Sequence, residues 1–137
     1  MKDIAYWNDY YRQRGDSKVW IPSQFAAFVA GELVGEFRCI VDIGCGNGRD
    51  SLFFARHGLK VVGVDAAAEA VNVCRRQADG LDASFLCSDI SDPTLAARIR
   101  EAVGSDEPLL VYARFFLHAI DQEEEEAFLR VASELCE

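Results

Sequence analysis

The stretch IVDIGCGNGRDSLFFARHGLKVVGVD, Ile40 to Asp65, decides how the rest of the chain is read. It opens on a short apolar run, Ile40 to Ile43, that carries one acid, Asp42. A glycine-rich turn follows, Gly44-Cys45-Gly46-Asn47-Gly48. Leu52, Phe53, Ala55 and Arg56 then follow a helical pattern that ends at His57-Gly58, and a second apolar run, Val61 to Val64, finishes on Asp65. The order strand, glycine turn, helix, strand is one βαβ unit with a nucleotide site at its first turn. Glycines lack Cβ, so the backbone can turn sharply and press against a ligand. The free N–H groups of the helix that follows favour an anionic group. Asp65 lies about 20 residues beyond the turn, where a carboxylate can accept both hydroxyls of a ribose.

A dinucleotide fingerprint needs its third glycine where this chain has Arg49. A side chain there obstructs the close approach of a pyrophosphate. The string Asp42-Ile43-Gly44-Cys45-Gly46-Asn47-Gly48 instead resembles motif I of the class I S-adenosylmethionine-dependent methyltransferases, acid-x-Gly-x-Gly-x-Gly, at every defined position. The longer string GCGNGRDSLFFARHG is similar to the small-molecule branch of that family, which includes thiopurine- and tellurite-resistance-type enzymes.

Composition bounds the alternatives. The chain has 137 residues, half of them apolar, which suits one globular domain with a real core. A net charge of −9 argues against a nucleic-acid backbone as partner. No apolar run approaches the roughly 20 residues needed to span a bilayer. The polar, aromatic start lacks the apolar segment of a signal peptide. Five cysteines (Cys39, Cys45, Cys74, Cys87 and Cys136) form no C-x-x-C pair and read as reduced thiols, with no metal cluster visible. A cytoplasmic location is expected.

Residues 1–21 form an aromatic segment, with Tyr6, Trp7, Tyr10, Tyr11 and Trp20 interleaved with Arg12 and Arg14. The four from Tyr6 to Tyr11 fall at helical spacing, so a short helix is expected, serving either as a packed lid or as a cap over the cofactor. Arg14-Gly15-Asp16 reads as a turn. Residues 22–137 form the binding domain. A helix begins at Pro22-Ser23-Gln24, carries Phe25, Phe28, Val29 and Leu33 at helical spacing, and stops at Gly35. A helix over 66–78 has an apolar stripe of Ala70, Val71 and Cys74, and Ala83 to Cys87 is a third strand. Ser91-Asp92-Pro93 starts a helix whose buried face is Leu95, Ile99 and Val103. Leu109 to Ala113, apolar throughout, is a fourth strand with the pattern of one covered on both faces. The last helix starts at Asp121 and turns Phe128, Val131, Ala132 and Leu135 inward, with Glu123 to Glu126 solvated at its start. Strands alternating with helices indicate a doubly wound parallel α/β sheet, three layers deep.

The resemblance implies the site. Gly44, Cys45, Gly46, Asn47 and Gly48 hold the methionine part of S-adenosylmethionine, and Asp42 helps fix its amino group. Asp65, followed by Ala66, takes the ribose hydroxyls. Asp89 accepts from the adenine amine, unless it caps the following helix, and Ile90 packs on the ring. After the fourth strand, Arg114 can pair with the cofactor carboxylate or with an anionic acceptor. Phe115 can face the sulfonium, and His118 can serve as a general base, since its unperturbed pKa lies near neutrality. For Arg114 and His118 a purely structural role stands beside the catalytic one. His57, beside Gly58, reads as a partner of a helix C-terminus.

The family's sheet typically has seven strands in the order 3-2-1-4-5-7-6, and four are legible here in the order 3-2-1-4. The chain reads as the N-terminal, cofactor-binding part of the fold, shortened after the fourth strand. That strand is then an exposed edge, and a homodimer across it is expected. The leading expectation is methyl transfer to a small-molecule acceptor. A non-catalytic cofactor-binding module completed by a partner chain is the alternative, and an NAD-linked oxidoreductase is disfavoured by Arg49.

Overall fold

β1, Cys39–Ile43, is buried along its whole length because it lies inside the sheet. The computed structural model describes residues 3–14, 21–33, 35–114 and 116–137, and of Arg14 the backbone alone. β1 pairs in parallel with β2, Lys60–Asp65, on one side and with β4, Leu109–Tyr112, on the other. β3, Ala83–Cys87, pairs with the far side of β2, which completes the order β3-β2-β1-β4. The strand count, order and direction are those read from the sequence.

Side chains alternate across β1, and the two faces build two cores. Val41 and Ile43 pack with Val62 and Val64 under α5, Leu95–Val103, and α6, Gln122–Cys136. Ile40 packs with Val61 and Tyr112 under α2, Gln24–Leu33, and α3, Arg49–Arg56. α4, Ala68–Gln77, covers Phe85 on β3 through Val71 and Cys74. Helices therefore lie on both faces of the sheet. α1, Ile4–Arg14, docks on the start of α4, where Asn8 Oδ1 accepts from the Glu69 N–H at 3.2 Å and Arg12 lies 3.5 Å from the Glu69 carboxylate. No helix of the described residues is long and apolar enough to cross a membrane.

The structure corrects the expected pattern in four places. α5 starts at Leu95 with Thr94 at its cap, not at Ser91-Asp92-Pro93, because Asp92 Oδ1 closes a local turn by accepting from the Thr94 N–H (2.8 Å) and hydroxyl (2.7 Å). α2 buries Ala26 and Val29, while Phe25 and Phe28 are exposed. The middle of β4 is only half-buried, since among the described residues β4 is the end strand of the sheet, beside β1. In the acidic run at the start of α6, Glu124 is buried rather than solvated, and Asp121 Oδ1 caps the helix by accepting from the Glu124 N–H at 2.9 Å. The readings of Gly15-Asp16, Trp20 and Phe115, and of the Arg14 side chain, lie outside the described residues.

Candidate functional site

The C-terminal ends of the parallel strands meet at the turn between β1 and α3. Gly44, Gly46 and Gly48 all have positive φ, at 75°, 55° and 83°, a region that residues with a Cβ seldom enter. The N–H groups of Gly44 and Cys45 donate to Val64 O at 2.7 and 3.0 Å, which ties the turn to β2. Above the turn stands α1: a Cβ built on Gly46 would come within 2.5 Å of the Tyr11 hydroxyl. Below it lie two thiols. Cys74 Sγ donates to Gly46 O at 3.1 Å and Cys45 Sγ to the same oxygen at 3.8 Å.

A cleft of about 470 Å³ opens between α1 and the strand ends. Trp7, Tyr10 and Tyr11 form one wall, and Gly44 to Asn47 with Asp42 and Asp65 form the floor. Arg49, Asp50, Tyr112, Arg114 and His118 close the remaining side. Of the sequence-predicted residues, Asp42, Gly44, Cys45, Gly46, Asn47, Asp65, Arg114 and His118 are thus brought together. Gly48 stands behind the turn, where a Cβ would meet Cys74 Sγ at 2.9 Å. Ala66 and Ile90 line a narrow groove beside the cleft with Ser88, Phe116 and Glu124. Asp89 is exposed, and its Oδ1 accepts from the Ser91 N–H at 2.8 Å, so it closes a local turn between two lining residues.

The acids differ in environment. Asp42 sits on β1 opposite Gly63 and Tyr112, and Ser51 Oγ on α3 donates to its Oδ2 at 2.6 Å. Burial pushes the Asp42 carboxyl up to about 7, against the pull of Ser51, and Asp50 and Asp65 add like charge. Asp65 accepts from Gly46 N–H at 2.9 Å and from Ala67 N–H at 2.8 Å. Burial raises its carboxyl too, and these two donors only partly offset the rise. It therefore braces the glycine turn, a role the ribose expectation did not include. Each carboxylate oxygen retains a second acceptor direction. Tyr11 is held protonated by burial first and by Asp65 second.

Sequence reasoning missed the centre of one wall. Asp50, on the first turn of α3, is buried and accepts four hydrogen bonds: Ser23 N–H (2.9 Å), Ser23 Oγ (2.8 Å), Tyr112 Oη (2.8 Å) and Arg114 Nε (2.9 Å). Burial works against its charge, but these donors and the Arg114 charge outweigh it and hold the carboxyl below its usual range. Arg114 is thereby fixed at the cleft. Arg49 donates to Ile21 O at 2.8 Å and Pro22 O at 3.2 Å, strapping the start of α2 to the turn. His57 Nδ1 donates to Phe53 O at 2.8 Å at the end of α3, as expected of a helix C-terminal partner.

Residues 40–137 match the methyltransferase domain family. No curated protein is similar enough to match. Among solved structures, one described under the conversion of a disulfide bond into a thioacetal group during echinomycin biosynthesis is 26% identical, with a TM-score of 0.70 over 97% of this chain and 55% of that one. A SAM-dependent methyltransferase from Anabaena variabilis is 23% identical, with a TM-score of 0.73 over 96% of this chain and 54% of that one. Magnesium protoporphyrin IX methyltransferase from Synechocystis, solved with bound SAM and with bound SAH, is 22% identical. Its SAM complex gives a TM-score of 0.64 over 83% of this chain and 54% of that one. The chain spans about half the length of these structures.

Proposed function

The chain belongs to the methyltransferase domain family, whose cofactor is S-adenosylmethionine, and from that premise we propose that it binds this cofactor in the cleft and serves methyl transfer to a small-molecule acceptor. The observation that carries the reading is the glycine turn held between two buried acids, Asp42 and Asp65, at the floor of a cleft of cofactor size. Bound there, the cofactor supplies a methyl group already activated on a sulfonium, so what the protein adds is mainly position. Gly44 to Gly48 take the methionine part, and Asp42 attracts its amino group. Asp65 accepts from the ribose while it braces the turn. Ala66, Ile90 and Asp89 attend the adenine, Asp89 from its exposed turn. Arg114, steadied by Asp50, offers a guanidinium to an anion, and His118 takes a proton where the acceptor must lose one. The cytoplasmic location expected from the sequence belongs to the same reading.

The test is thermal unfolding with S-adenosylhomocysteine and, separately, NAD. A ligand that binds only the folded state at about 100 times its Kd adds roughly 2.7 kcal/mol of stability. A rise in melting temperature with S-adenosylhomocysteine and none with NAD is expected; the reverse would refute the reading.

A further inference from the structure

A second cleft, of about 540 Å³, adjoins the first and is lined by Ser23, Gln24, Phe25, Arg49, Ala113 and Arg114. The two clefts share Arg49 and Arg114 as a common wall. Their signs differ. The first cleft is floored and walled by Asp42, Asp50 and Asp65, while the lining of the second contains no acid among the described residues, Asp50 lying behind its Ser23 and Arg114. Arg49 spends its described hydrogen bonds on the neutral carbonyls of Ile21 and Pro22, which orient the guanidinium without cancelling its charge. Arg114 is ion-paired with Asp50 through its Nε at 2.9 Å. In a chain of net charge −9, the charge of Arg114 is balanced by Asp50, and Arg49 gives this wall its positive excess among the described residues.

Phe25 and Ala113 supply the apolar part of the second cleft, beside Ser23 and Gln24. The ring of Phe25 is 46% exposed although it stacks on Tyr112, with centroids 5.3 Å apart and planes 20° from parallel. Planar guanidiniums match carboxylates in geometry as well as charge. Offset stacking on an exposed ring favours a flat, apolar body.

We infer that this second cleft is the acceptor site and that it selects a flat carboxylate, the anion set on Arg49 and Arg114 and the body set against Phe25. The inference rests on the cofactor reading above and extends it to a substrate class. It places the carboxylate, with any nucleophile bonded close to it, at the border of the cofactor cleft. The segregation of sign has a purpose in this arrangement: the cationic sulfonium meets the acids and the anionic acceptor meets the arginines.

The experiment is an NMR titration of the chain saturated with S-adenosylhomocysteine, using benzoate as the probe and benzamide, its neutral counterpart, as control. Saturation with S-adenosylhomocysteine is established first, and a failure at that step is a failure of the cofactor reading alone. Benzoate is expected to bind at least tenfold more tightly than benzamide, without displacing S-adenosylhomocysteine. In Arg49→Gln the preference is expected to fall to within twofold, and in Phe25→Ala both probes are expected to weaken together. Equal binding of the two probes to the unaltered chain would overturn the inference. So would competition between benzoate and S-adenosylhomocysteine, which would assign the arginines to the cofactor's own carboxylate.

Discussion

Asp42 shows how burial can shift the proton affinity of one residue at the cleft floor. Its carboxyl is pushed up to about 7 chiefly by burial, and the hydroxyl of Ser51 offsets only part of that. Because the folded pKa lies above the unfolded one, the protonated form stabilises the fold. That contribution is fully present below about pH 4 and is lost as pH rises through 7, with a slope of at most about 1.4 kcal/mol per pH unit for one proton. Binding of the cofactor's ammonium group has the opposite sign, since it favours the ionised carboxylate. Urea unfolding between pH 5 and 8 is expected to show stability falling with pH relative to Asp42→Asn, while S-adenosylhomocysteine affinity rises over the same range. Parallel stability curves for the two proteins would contradict this. The place of Asp42 beside the glycine turn was legible in the sequence because acid and glycines are adjacent. Its raised proton affinity was not, because that depends first on burial by the assembled fold and then on the like charges of Asp50 and Asp65.

At the scale of elements, α1 is attached differently from the rest. β1 is hydrogen-bonded on both edges and covered on both faces, whereas α1 is held by Asn8 and Arg12 at Glu69 and by Tyr11 over Gly46. Elements with few buried contacts open locally at low cost. Amides of α1 are therefore expected to exchange with solvent faster than those of β1, and to slow when S-adenosylhomocysteine fills the cleft below Tyr11. Protection of α1 equal to that of β1, unchanged by ligand, would contradict the proposal that it caps the cleft. The elements themselves were mostly legible, since β1 to β4 follow apolar runs and α3, α4 and α6 follow helical periodicity. α5 was misplaced at its start because Asp92 can close a turn as readily as cap a helix. The two aromatics of α2 misled in another way: helical spacing finds a stripe, but the sheet receives the smaller Ala26 and Val29. The Asp50 cluster was illegible, since its members come from α3, β4, the segment before α2 and the segment after β4, and no local pattern links them.

The whole molecule has two sheet edges of different character. On the outer edge of β3, Arg75 Nη2 donates to Phe85 O at 2.7 Å, while β4 pairs with β1 alone among the described residues. An edge strand offers its backbone groups as a template for another strand. Self-association of this chain through β4 is therefore expected, rising with concentration in solution scattering; a monodisperse monomer at all concentrations would contradict it. The fold gathers the four strand ends around one turn, where the cofactor is proposed to bind. Calorimetric titration with S-adenosylhomocysteine tests whether the cofactor binds there, with Asp65→Ala as the variant, since Asp65 braces Gly46 and is proposed to accept from the ribose. Micromolar binding by the chain, lost in a folded Asp65→Ala, is the result this account predicts. Binding that survives the substitution, or binding of NAD in place of S-adenosylhomocysteine, would contradict it.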